Sequence, residues 1–156
     1  KHINFEVSGK KVLLLGAGGV SPSIILALQN MKANKIFLSN RTLSKAENLK
    51  EIFNEIEVIE WGTMPNIDMI VNSTSLGLKK SDNIDIDYSK IGSDKFFYDV
   101  IYNPSETNFL KLAKRYGNKV ENGKLMFIYQ AKEAFKLWHG VEPKVNKNSI
   151  ELLSND

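Results

Sequence analysis

The sequence contains no cysteine and only two histidines, His2 and His139. The lack of cysteine excludes disulfides, thiolate metal sites, iron–sulfur clusters and a cysteine nucleophile. With so few histidines, we expect no metal centre. No apolar run approaches the roughly 18 residues that a membrane helix needs, and residues 1–10 lack the apolar stretch of a signal peptide. We therefore expect a soluble, cytoplasmic protein with no membrane partner.

A strong charge of either sign is also lacking. The 21 lysine and arginine residues exceed the 18 aspartate and glutamate residues by three, and the lysines are spread along the chain. Such a spread is typical of a solvated surface, although a mildly basic domain also suits an anionic ligand such as a phosphate ester. It does not indicate a nucleic-acid partner. A chain of 156 residues, of which 42% are hydrophobic, suffices for one buried core, and we expect a single domain.

Apolar periodicity predicts an alternation of strands and helices. Short apolar runs bounded by polar or turn residues predict strands at residues 11–15, 35–39, 58–60, 68–72, 95–100 and 119–121. Apolar spacing of three and four predicts helices at residues 21–31, 43–53, 107–116 and 124–138, with a short one after Pro143. Residues 73–94 interrupt the alternation and are predicted to form a long polar loop, either functional or a solvated connection.

This alternation indicates a Rossmann-type α/β fold: a doubly wound sheet of about six strands, mostly parallel, with helices on both faces. Ligands bind such sheets at the carboxyl ends of the strands. One turn at that edge, Gly16-Ala17-Gly18-Gly19-Val20-Ser21, lies between the first predicted strand and the first predicted helix. In a dinucleotide fingerprint, Gly16 would allow the tight turn and Gly18 the close approach of a pyrophosphate, while Ser21 takes the third glycine position. The alternative is a purely structural glycine turn.

The residues after the second predicted strand bear on the choice of cofactor. NAD-preferring sites have an Asp or Glu there, whereas this chain has Ser39-Asn40-Arg41-Thr42. Arg41 is suited to meet a 2′-phosphate and to stack on adenine, with Asn40, Thr42 and Lys45 as further donors. The segment therefore favours NADP over NAD, unless Arg41 is an ordinary solvated arginine at the start of a helix.

Three motifs together resemble the shikimate dehydrogenase family: GAGGVS at residues 16–21, NRT at 40–42 followed by Lys45, and YDVIYNPSET at 98–107. Two further segments are similar to that family, NSTSLG at 72–77 and the spaced residues Gly123, Met126 and Gln130. The resemblance implies an NADP-binding Rossmann domain. It also implies the reversible, NADPH-dependent reduction of 3-dehydroshikimate to shikimate, a step of aromatic amino acid biosynthesis.

The resemblance implies roles for individual residues. Those expected to bind the cofactor are Gly16, Gly18, Gly19, Val20, Asn40, Arg41, Thr42, Lys45, Thr74, Val100 and Gly123. Gly18, Gly19 and Val20 would face the pyrophosphate and residues 40–42 the 2′-phosphate, with Thr74 at the ribose and Val100 and Gly123 at the nicotinamide. Tyr102 is expected near the substrate carboxylate and Gln130 near a ring hydroxyl. Asp99 is expected to be structural. Taken alone, Tyr102 could equally shape a turn, Gln130 cap a backbone group and Val100 fill the core.

In the family that this chain resembles, the substrate-binding serines and the Lys and Asp pair for proton transfer belong to an N-terminal domain. We expect residues 1–156 to be a single NADP-binding domain, a fragment without that domain and without catalytic residues of its own, which shares shikimate or 3-dehydroshikimate with it. Such a fragment should bind cofactor and not turn over. The alternatives are a relative that also uses quinate and a non-catalytic module that senses NADP. The oligomeric state is left open, and Leu125, Phe127 and Trp138 are candidates for the apolar face that the missing domain would cover.

Overall fold

The computed structural model describes residues 5–151, so His2 lies outside the described residues. The strands are β1 (Lys11–Leu15), β2 (Lys35–Ser39), β3 (Ile56–Ile59), β4 (Met69–Asn72), β5 (Phe96–Asp99) and β6 (Lys119–Glu121). The helices are α1 (Ser21–Asn30), α2 (Leu43–Ile52), α3 (Tyr88–Ile91), α4 (Asn108–Arg115), α5 (Lys124–His139) and α6 (Lys147–Glu151). The predicted alternation of strands and helices is confirmed.

The strands of the described region form one six-stranded sheet in the order β3-β2-β1-β4-β5-β6. Every neighbouring pair is parallel, so the predicted doubly wound α/β sheet is confirmed and is parallel throughout. The chain winds outward from β1 in one direction and then, from β4, in the other. Doubly wound sheets bind ligands in the crevice at such a reversal. The crevice lies here beyond the paired residues Leu15 and Asn72.

The central strands are buried on both faces of the sheet. Along β1, Val12 and Leu14 belong to one apolar cluster, while Leu13 and Leu15 belong to the other, because successive side chains of a strand point to opposite faces. Residues of α1 and α2 complete the first cluster, and residues of α3 and α4 complete the second. Burial on both faces explains why β1 is a continuous apolar run instead of an alternating one.

The ends of the helices are set by local capping. Met31 was predicted to be the last residue of α1, but it follows the helix as its cap. Its amide donates to the carbonyl of Ala27, inside the helix, at 2.9 Å. Thr107 was predicted as the first residue of α4 but precedes it as the cap, since its hydroxyl accepts from the Leu110 amide at 3.4 Å. Gly140 follows α5 in the left-handed conformation, with φ +66°, that favours glycine at this position.

Two predictions of local structure were wrong in detail. The third strand covers Ile56–Ile59 instead of residues 58–60, because its pairing with β2 begins at Ile36 and Ile56. Residues 73–94 were predicted to be a loop, yet they contain α3. Asp87 caps this helix by accepting from the Ser89 amide at 3.1 Å, and Tyr88 is buried in the core. A helix of four residues is too short to show an apolar period.

The apolar face expected near α5 is only partly exposed. Trp138 is 79% exposed. Leu125 instead lines an apolar groove of about 330 Å³ between α1, the sheet and α5. Phe127 stacks on Tyr102, with ring centroids 4.5 Å apart. Of the three candidates, Trp138 alone is largely exposed in this structure.

Candidate functional site

A cleft of about 560 Å³ lies at the carboxyl ends of the central strands. Its lining includes seven of the residues predicted to bind a cofactor: Gly16, Gly18, Asn40, Arg41, Thr42, Lys45 and Thr74. Its other lining residues are Ala17, Trp61, Ser73, Ser75, Leu76, Asn83 and Asp85. The structure therefore brings the glycine turn, the start of α2 and the loop after β4 together around one space.

The glycine turn begins at a position where no side chain fits. Gly16 has φ +108°, and a Cβ there would lie 2.9 Å from Ser73 Oγ and 3.0 Å from the Ser73 carbonyl carbon. The Gly16 amide donates to the Ser39 carbonyl at 2.8 Å. Because Gly16 has no side chain, the turn after β1 packs directly against the loop after β4. The hydrogen bond from the Gly16 amide keeps the same turn attached to β2.

Ser21, at the third glycine position of the fingerprint, ties this turn together through its hydroxyl. Ser21 Oγ accepts from the Gly18 amide at 3.0 Å and donates to the Gly16 carbonyl at 3.0 Å. It also lies 3.0 Å from Ser73 Oγ, which donates to the Leu15 carbonyl at 2.8 Å. Ser21 is fully buried. The sequence predicted only that a small residue fits here, and the hydroxyl adds hydrogen bonds that a glycine could not make.

Two amides of the turn remain available to a ligand. The Ala17 amide donates to Asn40 Oδ1 at 3.1 Å, and the Gly18 amide is taken by Ser21. The amides of Gly19 and Val20 have no acceptor within residues 5–151. They immediately precede α1, at the positive end of its dipole. An anion is the ligand that such amides suit best.

The start of α2 supplies the positive charge of the cleft. Arg41 and Lys45 are exposed, and neither forms an ion pair with a carboxylate of the described residues. No acidic residue occupies the first turn of α2. Asn40 differs from its neighbours because both ends of its amide are engaged: Nδ2 donates to the Thr42 carbonyl at 2.7 Å, and Oδ1 accepts from Ala17. Asn40 therefore shapes the corner, while Arg41 and Lys45 are free to meet a ligand.

The loop after β4 forms the opposite wall and is held by Asn72. Asn72 Oδ1 accepts from the Thr74 amide at 3.0 Å and from Thr74 Oγ1 at 2.7 Å. Thr74 Oγ1 in turn accepts from the Leu76 amide at 3.0 Å, and Asn72 Nδ2 donates to the Leu76 carbonyl at 3.1 Å. These bonds fix the loop on which Thr74 faces the cleft.

Asp99 anchors this network from the end of β5. Its Oδ1 accepts from Asn72 Nδ2 and from the Ile101 amide, each at 3.0 Å, and its Oδ2 accepts from Thr107 Oγ1 at 2.6 Å. Burial raises the pKa of the Asp99 carboxyl, and the hydrogen bonds from Thr107, Ile101 and Asn72 oppose that rise. Asp99 is fully buried and does not line the cleft, so it acts as a structural tie between the β4 loop and α4.

Three other predicted residues, Val100, Tyr102 and Gly123, come after the end of β5 and do not line the cleft. Gly123 lies against Val100: a Cβ on Gly123 would overlap the Val100 carbonyl oxygen and lie 2.5 Å from its carbonyl carbon. The Gly123 amide donates to the Ile101 carbonyl at 3.2 Å. Tyr102 is half-buried and stacks on Phe127 of α5. These contacts hold the start of α5 close to the end of β5.

Gln130 and two residues of the glycine turn complete the predicted set. Gln130 is exposed on α5, further along the helix than Gly123. Gly19 and Val20 belong to the turn but are not among the residues that line the cleft. The structure thus divides the predicted residues into one group around the cleft and a second group near α5.

Several lining residues were not predicted to bind anything. Trp61 follows β3, and Asn83 and Asp85 come from the segment predicted as a loop. Asp85 is the one acidic side chain in the described lining. The position of Trp61 after a strand of a parallel sheet was the available signal, because every such strand ends at the same edge.

Neither a metal site nor a membrane-crossing segment is found in the described chain. Within residues 5–151, no group of three or more histidine, aspartate or glutamate side chains is placed to hold a metal ion. In the same range, no helix has both the length and the apolar character needed to cross a membrane.

Known proteins with similar sequences or structures include several shikimate dehydrogenases. Residues 1–87 match the family described as shikimate / quinate 5-dehydrogenase. The chain is 59% identical, over 148 residues, to the shikimate dehydrogenase (NADP(+)) of Pelagibacter ubique, and the match covers 95% of this chain and 56% of that relative. The described fold resembles the shikimate dehydrogenase of Aquifex aeolicus, with 40% identity and a TM-score of 0.82 over 97% of this chain and 55% of that chain.

A further similar structure is the quinate dehydrogenase from Corynebacterium glutamicum in complex with NAD. It is 29% identical to this chain, with a TM-score of 0.85, and the match covers 97% of this chain and 56% of that chain. The chain thus spans little more than half the length of the relatives that it matches. Both the glycine turn and the Asn40-Arg41-Thr42 corner lie inside the segment that matches the family.

Proposed function

The chain belongs to the shikimate/quinate 5-dehydrogenase family, and on that premise we propose that it is the NADP-binding domain of a shikimate dehydrogenase. The complete enzyme would reduce 3-dehydroshikimate reversibly to shikimate with NADPH. The name of the relative from Pelagibacter ubique, shikimate dehydrogenase (NADP(+)), supports both the substrate and the cofactor.

The observation that carries this proposal is the presence of free cations in a cleft next to the free amides of the glycine turn, whose Gly16 and Gly18 line that cleft. Arg41 and Lys45 have no carboxylate partner among the described residues, and no carboxylate stands at the end of β2 to accept a ribose 2′-hydroxyl. A guanidinium beside an ammonium suits a 2′-phosphate. We therefore assign the adenosine 2′-phosphate of NADP to Arg41 and Lys45, with Thr42 beside them.

The diphosphate is assigned to the glycine turn. The amides of Gly19 and Val20 are the donors that the turn leaves unused. Gly18 is exposed, and its missing side chain allows the phosphate oxygens to approach the backbone. Thr74, fixed through Asn72 on the opposite wall, is assigned to the ribose side of the cofactor.

NADPH supplies a hydride to the ring ketone when it is bound, and the residues near α5 position the two reactants. Val100 and Gly123 are assigned to the border of the nicotinamide, where their tight contact fixes the end of β5 against α5. Tyr102, held by its stack on Phe127, and Gln130, exposed on α5, are assigned to the substrate. A ketone reduction also needs a proton source for the oxygen. We assign that source to the part of the enzyme outside the 56% of the Pelagibacter ubique relative that this chain matches.

A second candidate substrate is quinate. The similarity to a quinate dehydrogenase supports it, at 29% identity and a TM-score of 0.85. Quinate and shikimate differ at the ring, so the choice depends on contacts outside the cofactor cleft. Steady-state assays of the full-length enzyme with each substrate would decide between them.

Titration calorimetry of this chain with NADPH and with NADH tests the proposal. We expect NADPH to bind more tightly by at least about tenfold, which corresponds to about 1.4 kcal/mol from contacts to the 2′-phosphate. The chain alone should show no shikimate-dependent reduction of NADP. Absence of binding by NADPH would refute the proposed function. Turnover by the chain alone would refute the assignment of the proton source.

A further inference from the structure

Trp61 lines the cofactor cleft without a role in the function proposed above. It follows β3, the edge strand next to β2, and lines the same space as Arg41, Thr42 and Lys45. Trp138, the second tryptophan of the chain, is 79% exposed at the end of α5 and does not line the cleft. The two tryptophans therefore differ in their relation to the site.

The register of the sheet places Trp61 beside Arg41. Ser39 of β2 pairs with Ile59 of β3. Arg41 and Trp61 each lie two residues beyond these partners, and adjacent strands run about 4.8 Å apart. The two residues therefore leave the sheet next to each other at its carboxyl edge, and both reach the cleft.

The backbone around Trp61 is fixed by hydrogen bonds. The Glu60 carbonyl accepts from Ser39 Oγ at 3.2 Å, which ties the end of β3 to β2. The same carbonyl accepts from the Thr63 amide at 3.1 Å, which closes a turn with Trp61 at its second position. Gly62, at the third position, has φ +89°, a conformation that a type II turn requires and that glycine adopts without strain.

The indole is also held by packing. Trp61 is half-buried and contacts the apolar cluster that includes Phe37 and Ile67. A ring that is already packed on one side loses little conformational entropy when a ligand contacts it. Such a ring presents a flat apolar surface, and the ligand that matches it is a flat aromatic base.

We propose that Trp61 stacks on the adenine of the cofactor and, with Arg41 beside it, determines recognition of the purine end. This inference rests on the proposed function, because it requires the adenosine to lie at the β2–β3 edge of the cleft. In a doubly wound sheet, the adenosine half of a dinucleotide lies on the side of the first three strands. A 2′-phosphate on Arg41 and Lys45 places the base within the space that Trp61 lines.

Fluorescence of the Trp138→Phe variant tests the stacking directly, because Trp61 is then the sole tryptophan. The probe is 2′,5′-ADP, which carries the base and both phosphates but no nicotinamide. Excitation at the red edge of the indole band avoids absorption by the probe. We expect saturable quenching by 2′,5′-ADP and none by ribose 5-phosphate, which has no base. In the matched Trp61→Phe variant, the remaining Trp138 should not respond to either compound.

Calorimetry with 2′,5′-ADP separates stacking from a purely structural role. We expect Trp61→Leu to weaken binding about tenfold or more, and Trp61→Phe, which keeps an aromatic ring, to recover most of that loss. Circular dichroism of both variants verifies that they fold. The stacking would be overturned if Trp138→Phe bound 2′,5′-ADP with wild-type affinity but without quenching of Trp61, or if Trp61→Leu bound 2′,5′-ADP as tightly as the wild type. Either result would leave the proposed function intact. Failure of 2′,5′-ADP to bind the wild type would overturn both.

Discussion

The contact between Gly123 and Val100 makes Gly123→Ala the most informative single substitution near α5. A Cβ at Gly123 would overlap the Val100 carbonyl oxygen and lie 2.5 Å from the carbonyl carbon and 3.0 Å from Cα. Every atom in this clash belongs to the backbone, so no side chain can rotate away. Restoring a carbon–carbon contact of 3.4 Å requires the start of α5 to move from the end of β5 by about 1 Å.

A displacement of that size has two measurable effects. Forced overpacking costs about 1–3 kcal/mol, which lowers the urea midpoint of unfolding by about 1 M at a typical urea dependence. Misplacement of the nicotinamide border should weaken NADPH binding about tenfold or more. Binding of 2′,5′-ADP should stay within about twofold of wild type, because its assigned contacts are in the separate cleft.

Gly19→Ala serves as the matched control for stability. A Cβ at Gly19 meets no atom within 4 Å, and its φ lies outside the left-handed range. We expect its urea midpoint to equal or exceed that of wild type. Gly123→Ala with wild-type stability and wild-type NADPH affinity would refute the reasoning from this contact. An equal loss of 2′,5′-ADP binding would refute the separation of the two ends of the site.

Three further substitutions test other parts of the site. Arg41→Ala should weaken NADPH binding about tenfold more than NADH binding in calorimetry, since a charge-assisted hydrogen bond to the 2′-phosphate contributes about 1.5–3 kcal/mol. Lys50→Ala, at the other end of α2, is the control. An unchanged preference for NADPH over NADH in Arg41→Ala would refute the assignment of the 2′-phosphate to Arg41. Ser21→Ala removes the bonds to Gly18 and Gly16 and should lower the free energy of unfolding by about 1 kcal/mol in urea titrations; no loss would mean that they do not support the turn. Burial raises the pKa of the Asp99 carboxyl in the folded state. The stability that the fold gains from this raised pKa is fully present below about pH 4, and it is lost as the pH rises through the pKa of Asp99 in the folded state. Relative to Asp99→Asn, the wild type should lose stability as the pH rises from 4 toward neutrality; a constant difference between the two, or one of opposite sign, would contradict the raised pKa.

The fold was largely predictable because its central strands are buried on both faces. The continuous apolar run of β1 and the run of β2 gave the bounds that the structure has. The edge strand β3 was misplaced by two residues at its start because only one of its residues is buried, which leaves a weak pattern. The short helix α3 was missed because its stability depends on burial of Tyr88 and Ile91 in a core that the sequence alone does not assemble.

The site was predictable where chemistry is local in sequence. The glycine turn and the Asn40-Arg41-Thr42 corner are contiguous segments, and the structure brings both to one cleft. The bond between Asn72 and Asp99 joins residues 27 positions apart, so no spacing indicates it. Trp61 and Asp85 reach the cleft only through the order of the strands and the path of the loop after β4. These parts of the site are tertiary features, and local patterns do not encode them.

A crystal structure of this chain with NADPH tests the central assignment most directly. We expect diphosphate oxygens within hydrogen-bond distance of the Gly19 and Val20 amides, and the 2′-phosphate against the guanidinium of Arg41. A cleft that stays empty at saturating NADPH, or an adenosine bound away from Arg41, would contradict the account.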